Sequence, residues 1–217
     1  MRSKATSRAR AASRKATVDS LRTLSSRERI IRAASDLLEN NGYHGTGLNE
    51  IARKGKAPKG SIYYHFPRGK KQIAAEAILS TGRALAEVTR ANFVKKQTAA
   101  EAVRAYVDGL SLFIQASGFR SGGQLTLVAS ETATIDKLLN QSCRKAYALI
   151  LEAFKDKLSA LGFPAAQAEV LAVGITASID GGIILSRTYH SRKPLRTIAR
   201  FLDKMVQAME LANNGNS

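Results

Sequence analysis

Residues 57–67 read APKGSIYYHFP, and a basic turn, Lys-Gly-Lys, precedes them at residues 54–56. Pro58 suits the first position of a short helix through Tyr64, because that position needs no backbone N–H. On the other side of the turn, residues 48–52 carry apolar side chains at helical spacing. Two short helices joined by a glycine turn are typical of a helix-turn-helix unit, whose second helix enters the major groove of DNA.

A longer helix precedes this pair. Ser25 and Glu28 have the spacing of a capping box, in which each side chain accepts a hydrogen bond from the other residue's backbone N–H. Apolar residues recur at helical spacing over residues 30–38, and Gly42 ends the helix. Thr46 is placed to cap the second helix. The sequence therefore predicts three helices in a small N-terminal unit.

The rest of the chain is predicted to be helical. Capping, glycine and proline signals divide it into helices at about residues 70–93, from Thr98 through Phe113, at 134–161, 165–189 and 194–211, with a loop marked by Gly118, Gly122 and Gly123. No segment alternates convincingly between apolar and polar residues, so the fold class is all-α. The predicted organisation is a basic arm at 1–24, a three-helix DNA-binding domain at 25–80 with its motif at about 47–66, a larger helical domain at 81–213 joined by the long helix, and a tail at 214–217.

The charge of the chain is concentrated at its N-terminal end. The chain holds 34 Lys and Arg against 17 Asp and Glu, a formal net charge of +17. Residues 1–24 and residues 25–71 each carry +6 of that charge. This asymmetry argues against an ordinary neutral enzyme and favours a partner rich in phosphates. Because catalytic residue types are dispersed, we do not expect an enzyme.

The composition also argues against several other classes of protein. The single Cys excludes an intramolecular disulfide and a Cys-based zinc site, and the three His lack metal-ligand spacing. The most apolar run, residues 170–186, is interrupted by Asp180 and by glycines, so no membrane span is expected. No apolar block follows the basic N-terminus, which argues against a secretory signal. We therefore expect a soluble, cytoplasmic, nucleoid-associated protein without a cofactor or metal.

The side chains expected to contact DNA lie in and around the third helix. Lys59, Ser61 and Tyr63 are the candidates for reading base edges, and Gly60 permits the backbone to approach DNA closely. Phosphates attract basic and polar side chains. The expected phosphate contacts are Lys54, Lys56, Lys59, Tyr64, His65, Arg68, Lys70 and Lys71. Phe66 is expected to pack in the core against the first helix.

These residues carry a specific resemblance to a known family. The pattern GYxxTxxxEIA at residues 42–52, followed by residues 57–67, resembles the tetracycline-repressor (TetR) family of bacterial regulators. Residues 69–76 (GKKQIAAE), and more weakly residues 180–187 (DGGIILSR), are similar to its LmrA/YxaF-like subgroup. The resemblance implies an obligate dimer joined by the last two helices, a palindromic operator, and a C-terminal cavity whose ligand releases DNA. The family's DNA-contact positions correspond here to Thr46, Lys59, Tyr63, Tyr64, His65 and Lys71.

The sequence departs from this subgroup in two places. The subgroup has a Gly-Cys-Pro motif in the middle of the chain, whereas residues 121–125 here read SGGQL. The subgroup's ligand preference is therefore not transferred to this chain. The basic arm is longer than the family minimum, and we expect it to follow phosphates or to enter the minor groove.

Polar side chains among apolar helix faces predict a ligand cavity of mixed character. The candidate lining residues are Tyr106, Phe113, Gln124, Tyr147, Thr176 and Asp180, each of which has an ordinary core or surface position as its alternative. Asp180 is the most informative, because an ionised acid is costly if it is buried without a partner. Its candidate partners are Arg144, Arg187, a ligand amine and a dimer interface. Cys143 is expected to be a small buried hydrophobe.

Small and apolar residues near the C-terminus predict a dimer interface. Small side chains on the helix from Ala165 permit another helix to approach closely, and apolar residues follow on the last helix. The expected interface residues are Ala177, Gly181, Ile184, Ile198, Phe201 and Met205.

The predicted function is that of a dimeric, sequence-specific DNA-binding regulator. We expect a repressor that leaves an inverted-repeat operator when a small molecule binds. The alternative is an architectural DNA-binding protein without ligand or sequence preference, which the charge of the arm also suits. A second alternative is an enzyme with a polyanionic substrate, against which only the dispersal of catalytic residues argues.

Overall fold

The computed structural model describes residues 24–93 and 98–214, and these residues form nine α-helices and no strand. The helices are α1 Ser26–Asn41, α2 Leu48–Lys54, α3 Lys59–His65, α4 Lys70–Phe93, α5 Ala99–Ala116, α6 Gln124–Thr132, α7 Lys137–Ala160, α8 Ala165–Thr188 and α9 Lys193–Asn214. The all-α prediction is confirmed. The predictions for the basic arm fall on residues 1–23, outside the described residues.

The start of α1 has the hydrogen bonds of the predicted capping box. The backbone N–H of Glu28 donates to Ser25 Oγ at 3.2 Å, and the backbone N–H of Ser25 donates to Glu28 Oε2 at 2.8 Å. These bonds satisfy backbone donors that have no partner within the helix. At the other end, Gly42 takes φ +68°, a left-handed conformation that favours glycine.

The predicted cap of α2 is wrong. Gly47 is the residue that precedes α2, and no side chain caps this helix. Thr46 is buried, and its hydroxyl donates to the backbone carbonyl of Gly42 at 2.7 Å. This hydrogen bond closes the α1–α2 turn. The Thr46 hydroxyl is therefore not available to cap α2.

The N-terminal helices share one apolar core with the start of α4. Ile30, Ile51, Ile62, Phe66 and Ile73 each have an exposed fraction of 1% or less. Phe66 thus packs in the core as predicted, and the guanidinium of a residue of α1 (Arg27) lies 5.3 Å from the centre of its ring. Burial of side chains of this size contributes roughly 1.5–3 kcal/mol each, which fixes the short α2 and α3 against α1.

The C-terminal domain is built around the long α4, which runs through the predicted domain boundary without a break. Helix α4 packs along α7, α5 packs against α9, and α8 packs against both α7 and α9. A Cβ atom added at Gly82 would lie 2.6 Å from the Cβ of Ala146. Gly82 therefore permits the close crossing of α4 and α7, a role that the helical spacing did not reveal.

One helix and one helix boundary differ from the prediction. Helix α6 was absent from it, since the glycines before Gln124 indicate a loop. Helix α7 begins at Lys137, because Asp136 caps it by accepting a hydrogen bond from the backbone N–H of Leu139 at 3.0 Å. A helix that started at Thr134 would lack this cap.

Helix α8 is the one helix among the described residues that is long and apolar enough to cross a membrane. One side of it packs inside the chain: Ala168, Ile175 and Ile179 are buried. Core helices of globular proteins pass the same test of length and composition.

Candidate DNA-binding surface and ligand cavity

Helix α3 presents a polar surface on one side and its core contacts on the other. Ile62 is buried, whereas Tyr63 and Tyr64 are 56% and 82% exposed. Lys59 and Gly60 are exposed at the start of the helix, and Ser61 and His65 are half-buried. A Cβ added at Gly60 would meet no atom within 4 Å. Since packing inside the chain does not require glycine at this position, close approach by an outside molecule is a consistent explanation.

Basic side chains surround α3. Arg53, Lys56 and Arg68 are exposed. Lys54 is exposed as well, although its Nζ lies 3.3 Å from Asp36 Oδ2 in an ion pair at the surface. These charges lie on the loops and helix ends that flank α3, where phosphates on either side of a major groove would meet them.

Besides that of Lys54, the side chains of three predicted DNA-contact residues make a hydrogen bond, an ion pair or a cation–π contact within the described chain. Thr46 is buried, as described above. The Nζ of Lys70 lies 4.2 Å from the centre of the Tyr43 ring, and burial lowers the pKa of this lysine. Lys71 Nζ pairs with Asp136 Oδ2 at 2.7 Å, and this contact raises the pKa of Lys71. In this conformation the free side chains are therefore concentrated on α3 and on the turn before it.

Carboxylates link the two domains across long sequence separations. Glu131, on α6, accepts hydrogen bonds from the backbone N–H groups of Tyr43 (2.6 Å) and His44 (3.1 Å) in the α1–α2 turn. Glu39, on α1, accepts from the backbone N–H of Gly122 at 2.5 Å. We call these hydrogen bonds, with the Lys71–Asp136 ion pair, the interdomain clasp. Nothing in the local sequence pattern predicts it.

A cavity of about 490 Å³ lies between the domains' helices. All six residues predicted to line a cavity line this one: Tyr106, Phe113, Gln124, Tyr147, Thr176 and Asp180. The sequence reasoning missed the other lining residues: Ser35, Asp36, Glu39, Thr81, Leu85, Val88, Asn92, Gly109, Leu110, Gly122, Leu125, Thr126, Ile150, Phe154, Ile179 and Ile183. The volume lies within the range of about 300–1,000 Å³ that is usual for small-molecule sites.

Asp180 lies in the cavity wall with neutral partners. Its Oδ2 accepts a hydrogen bond from the hydroxyl of Tyr147 at 2.7 Å, and the hydroxyl of Thr126 is a second donor. Burial raises the pKa of Asp180, and burial together with the carboxylate raises the pKa of Tyr147. Neither Arg144 nor Arg187 pairs with it among the described ion pairs, so that part of the prediction is wrong: Arg144 is exposed, and Arg187 packs against Gly123.

Two polar atoms in the cavity wall have no hydrogen-bond partner within the described chain. They are Gln124 Nε2 and Thr176 Oγ1, both fully buried. The other end of the Gln124 amide is occupied, since its Oε1 accepts from the hydroxyl of Thr81 at 2.6 Å. A buried donor without a partner costs about 1–3 kcal/mol, so both atoms favour a polar guest in the cavity.

Asp180→Asn is expected to stabilise the free protein at neutral pH. Burial raises the pKa of Asp180 in the folded state above its ordinary value of about 4 in the unfolded chain. The free energy of unfolding therefore falls as the pH rises from the unfolded-state pKa through the raised folded-state pKa, because ionisation is costly only in the folded protein. Asparagine carries no such cost and still accepts from Tyr147. The melting temperature of the variant should exceed that of wild type by a few degrees at pH 7.5, and the difference should shrink toward pH 4.5. A variant that is less stable at pH 7.5 would contradict this.

An apolar surface runs along the outward sides of α8 and α9. Ile184, Phe201 and Leu211 are 53%, 59% and 67% exposed. Ala177 is exposed, Gly181 is partly exposed with open space around it, and Ile198 and Met205 are half-buried against the core. We call this surface the outer face. Monomeric proteins seldom expose contiguous apolar surface of this kind, so it favours a protein partner.

Comparison with known proteins identifies the family. The N-terminal domain profile of the bacterial regulatory proteins of the tetR family matches residues 30–77, and the profile of the LmrA/YxaF-like C-terminal domain of transcriptional regulators matches residues 99–201. The HTH-type regulator YxaF of Bacillus subtilis, itself uncharacterized, is 35% identical over 182 residues, which cover 84% of this chain and 95% of YxaF. The chain belongs to the TetR family. LmrA of the same organism is 33% identical over 182 residues, which cover 84% of this chain and 97% of LmrA.

Solved TetR-family structures share the fold. A regulator from Legionella pneumophila superimposes with a TM-score of 0.73 at 23% identity, covering 84% of this chain and 98% of that one. FadR of Bacillus subtilis, solved in complex with stearoyl-CoA, gives a TM-score of 0.62 at 16% identity, covering 82% and 96%. As a TetR-family member, this chain is a transcriptional regulator with an N-terminal DNA-binding domain, and it is not an enzyme.

Two further observations on the described residues concern the free thiol and metal binding. Cys143 is buried, and burial raises its pKa to about 11, as expected of a packed hydrophobic thiol. No group of three or more His, Cys, Asp or Glu that could hold a metal occurs within the described part of the chain.

Proposed function

We propose that this TetR-family regulator is a dimeric repressor that leaves its operator when a small molecule fills the cavity. The observation that carries the proposal is the composition of the cavity wall. It includes Ser35, Asp36 and Glu39 of α1 in the DNA-binding domain, as well as residues of α4 to α8. A ligand there would contact both domains at once, so its binding free energy would depend on their relative position.

The proposed DNA contacts are the exposed and half-buried groups of α3 and of the turn before it. They are Lys56, Lys59, Gly60, Ser61, Tyr63, Tyr64 and His65. Two copies of α3 related by a twofold axis would occupy successive major grooves about 34 Å apart, so the operator would be an inverted repeat. The basic arm and Arg68 would add phosphate contacts, and such charge would keep the protein associated with the nucleoid.

The proposed dimer forms through the outer face. Helices α8 and α9 of two copies would pack as a four-helix bundle, with Ala177 and Gly181 permitting close approach and Ile184 and Phe201 buried at the seam. Ile198 and Met205, which already lie half-buried, would line its edge. A twofold arrangement of this kind gives the symmetry that an inverted repeat requires.

The interdomain clasp is the proposed route from the cavity to α3. Gln124 and Thr126 of α6 line the cavity, and Glu131 at the other end of α6 holds the α1–α2 turn. A ligand that favours another position of α6 would move the N-terminal domain and change the spacing of the two α3 helices. The free energy by which the ligand shifts this equilibrium equals the difference between its binding free energies to the two positions, typically about 1–3 kcal/mol.

Glu131→Ala is expected to loosen the N-terminal domain in the absence of any ligand. The variant loses the acceptor of the Tyr43 and His44 N–H groups, so hydrogen exchange at residues 43 and 44 should accelerate at least about tenfold. Operator affinity should fall by about five- to tenfold, because the two α3 helices would hold the correct spacing less of the time.

Glu87→Ala is the matched control for this variant. Glu87 is an exposed acid on α4 that pairs only with Arg90 of the same helix among the described ion pairs, and its loss changes the net charge equally. It should leave both exchange and operator affinity nearly unchanged. Equal behaviour of the two variants would argue that Glu131 contributes only charge.

Selection of random duplexes by the purified protein tests the proposed function. A regulator of this kind should enrich an inverted repeat whose half-sites lie about one helical turn apart. Enrichment of no sequence, with affinity that collapses as salt rises, would overturn the proposal in favour of architectural DNA binding.

A further inference from the structure

Among the described residues, the charged groups that line the cavity are all acids, although the chain carries a net charge of +17. Asp36, Glu39 and Asp180 line it, and the part of the lining formed by residues 24–93 and 98–214 includes no Lys, Arg or His. Arg187 follows Asp180 on α8, but its guanidinium packs against Gly123 outside the lining. In a protein with twice as many basic as acidic residues, a described lining that holds three acids and no base sets the cavity apart from the rest of the chain.

The three acids differ in how they are satisfied. Asp36 pairs with Lys54, which is itself exposed, and Glu39 accepts from the backbone N–H of Gly122. Asp180 has only the neutral hydroxyls of Tyr147 and Thr126 as partners in the described residues. A carboxylate offers about four lone-pair sites, so Asp180 retains acceptor capacity toward the cavity.

Resting on the proposed function, we infer that the effector is an apolar molecule without negative charge, which donates a hydrogen bond to Asp180 and accepts one from Gln124. The donor side follows from the free acceptor capacity of Asp180. The acceptor side follows from the Gln124 Nε2 atom, which is buried without a partner. The hydroxyl of Thr176 is a second buried group that a polar atom of the ligand would satisfy.

Charge decides between classes of ligand. A carboxylate, sulfonate or phosphate in the cavity would be desolvated beside Asp180, with no base in the described lining to neutralise it, which is strongly unfavourable. A neutral donor satisfies Asp180, and an ammonium group also neutralises it. For molecules of equal length, the order of affinity should therefore be amine, then alcohol, then carboxylate.

Displacement of a fluorescent probe measures this order. N-Phenyl-1-naphthylamine is uncharged, apolar and carries one N–H donor, so it should fluoresce in the cavity of the full-length protein. Decylamine, 1-decanol and decanoate share one chain length and differ in the polar group. At pH 7.5 and about 0.3 M salt, where surface charges are well screened, decylamine and 1-decanol should displace the probe at concentrations at least tenfold lower than decanoate.

Asp180→Asn tests the origin of the discrimination. It removes the buried charge and keeps the shape, so the inhibition constants of the three competitors should converge to within about threefold of one another. Asp108→Asn is the matched control. Asp108, on α5, lies outside the cavity lining and contacts Arg104 at the surface, so this variant should retain the wild-type order.

The outcomes separate the ligand class from the proposed function. Decanoate that competes as well as 1-decanol in wild type would overturn the inferred class while the cavity remained a binding site. An order that survives unchanged in Asp180→Asn would overturn the role of Asp180. Failure of the probe and of all three competitors to bind would overturn the cavity as an effector site, and with it both proposals.

Discussion

The double variant Ile184→Asp, Phe201→Asp is expected to be monomeric and to lose operator binding by more than 100-fold. Both side chains lie on the outer face and are more than half exposed in the single chain. In a dimer they would be buried at the seam, where four new carboxylates without partners would cost several kcal/mol. A monomer has one α3 and so loses the second half-site, although its DNA-binding domain is unchanged.

Sedimentation velocity at micromolar concentration and operator titration measure these two effects. Circular dichroism and thermal melting should show an intact helical fold, because neither side chain contributes to the core of the single chain. Ile135→Asp is the matched control: Ile135 is 65% exposed and lies in the α6–α7 turn, away from α8 and α9. It should remain dimeric. A double variant that stays dimeric would place the dimer interface elsewhere.

Tyr63→Ala and Lys59→Ala are each expected to weaken operator binding by roughly 30-fold or more. A side chain that contacts a base edge contributes about 1–3 kcal/mol, and a dimer loses that contribution in both half-sites. The side chains are exposed, so their loss should leave the melting temperature nearly unchanged. If Lys59 contacts phosphate instead, its loss should weaken binding to all sequences and reduce the salt dependence by about one counterion per half-site.

Fluorescence anisotropy with operator and with scrambled duplex separates these cases. Tyr189→Ala is the control for loss of an exposed tyrosine, since Tyr189 is 69% exposed and follows α8, far from α3 in the chain. It should bind the operator as wild type does. Wild-type affinity in both the Tyr63 and Lys59 variants would show that α3 is not the recognition helix.

Local sequence signals accounted for much of the fold. The capping box of Ser25 and Glu28 and the bounds of α4 needed only neighbouring residues, and the structure has both. The prediction that Thr46 caps α2 was wrong, because its hydroxyl donates to the Gly42 carbonyl instead. The preference of threonine for helix starts does not take such a competing partner into account. Helix α6 was missed because it follows two glycines and is held by contacts with α1, α4 and α7.

The cavity was partly predictable, and the interdomain clasp was not. Gln124 and Asp180 are polar residues on otherwise apolar helix faces, and this pattern predicted that those faces line a cavity instead of a closely packed core. The clasp joins Glu131 to a backbone N–H 88 residues away, so no periodicity or motif contains it. The same holds for Gly82, whose role depends on where α7 crosses.

A titration of the selected operator against its single half-site and a scrambled duplex, at several salt concentrations, would be the most direct measurement of dimeric sequence-specific binding. The intact inverted repeat should bind about 1,000-fold or more tightly than the scrambled duplex at physiological salt. The single half-site should bind only slightly more tightly than the scrambled duplex. Equal affinity for all three duplexes, with one common steep salt dependence, would contradict the proposed regulator.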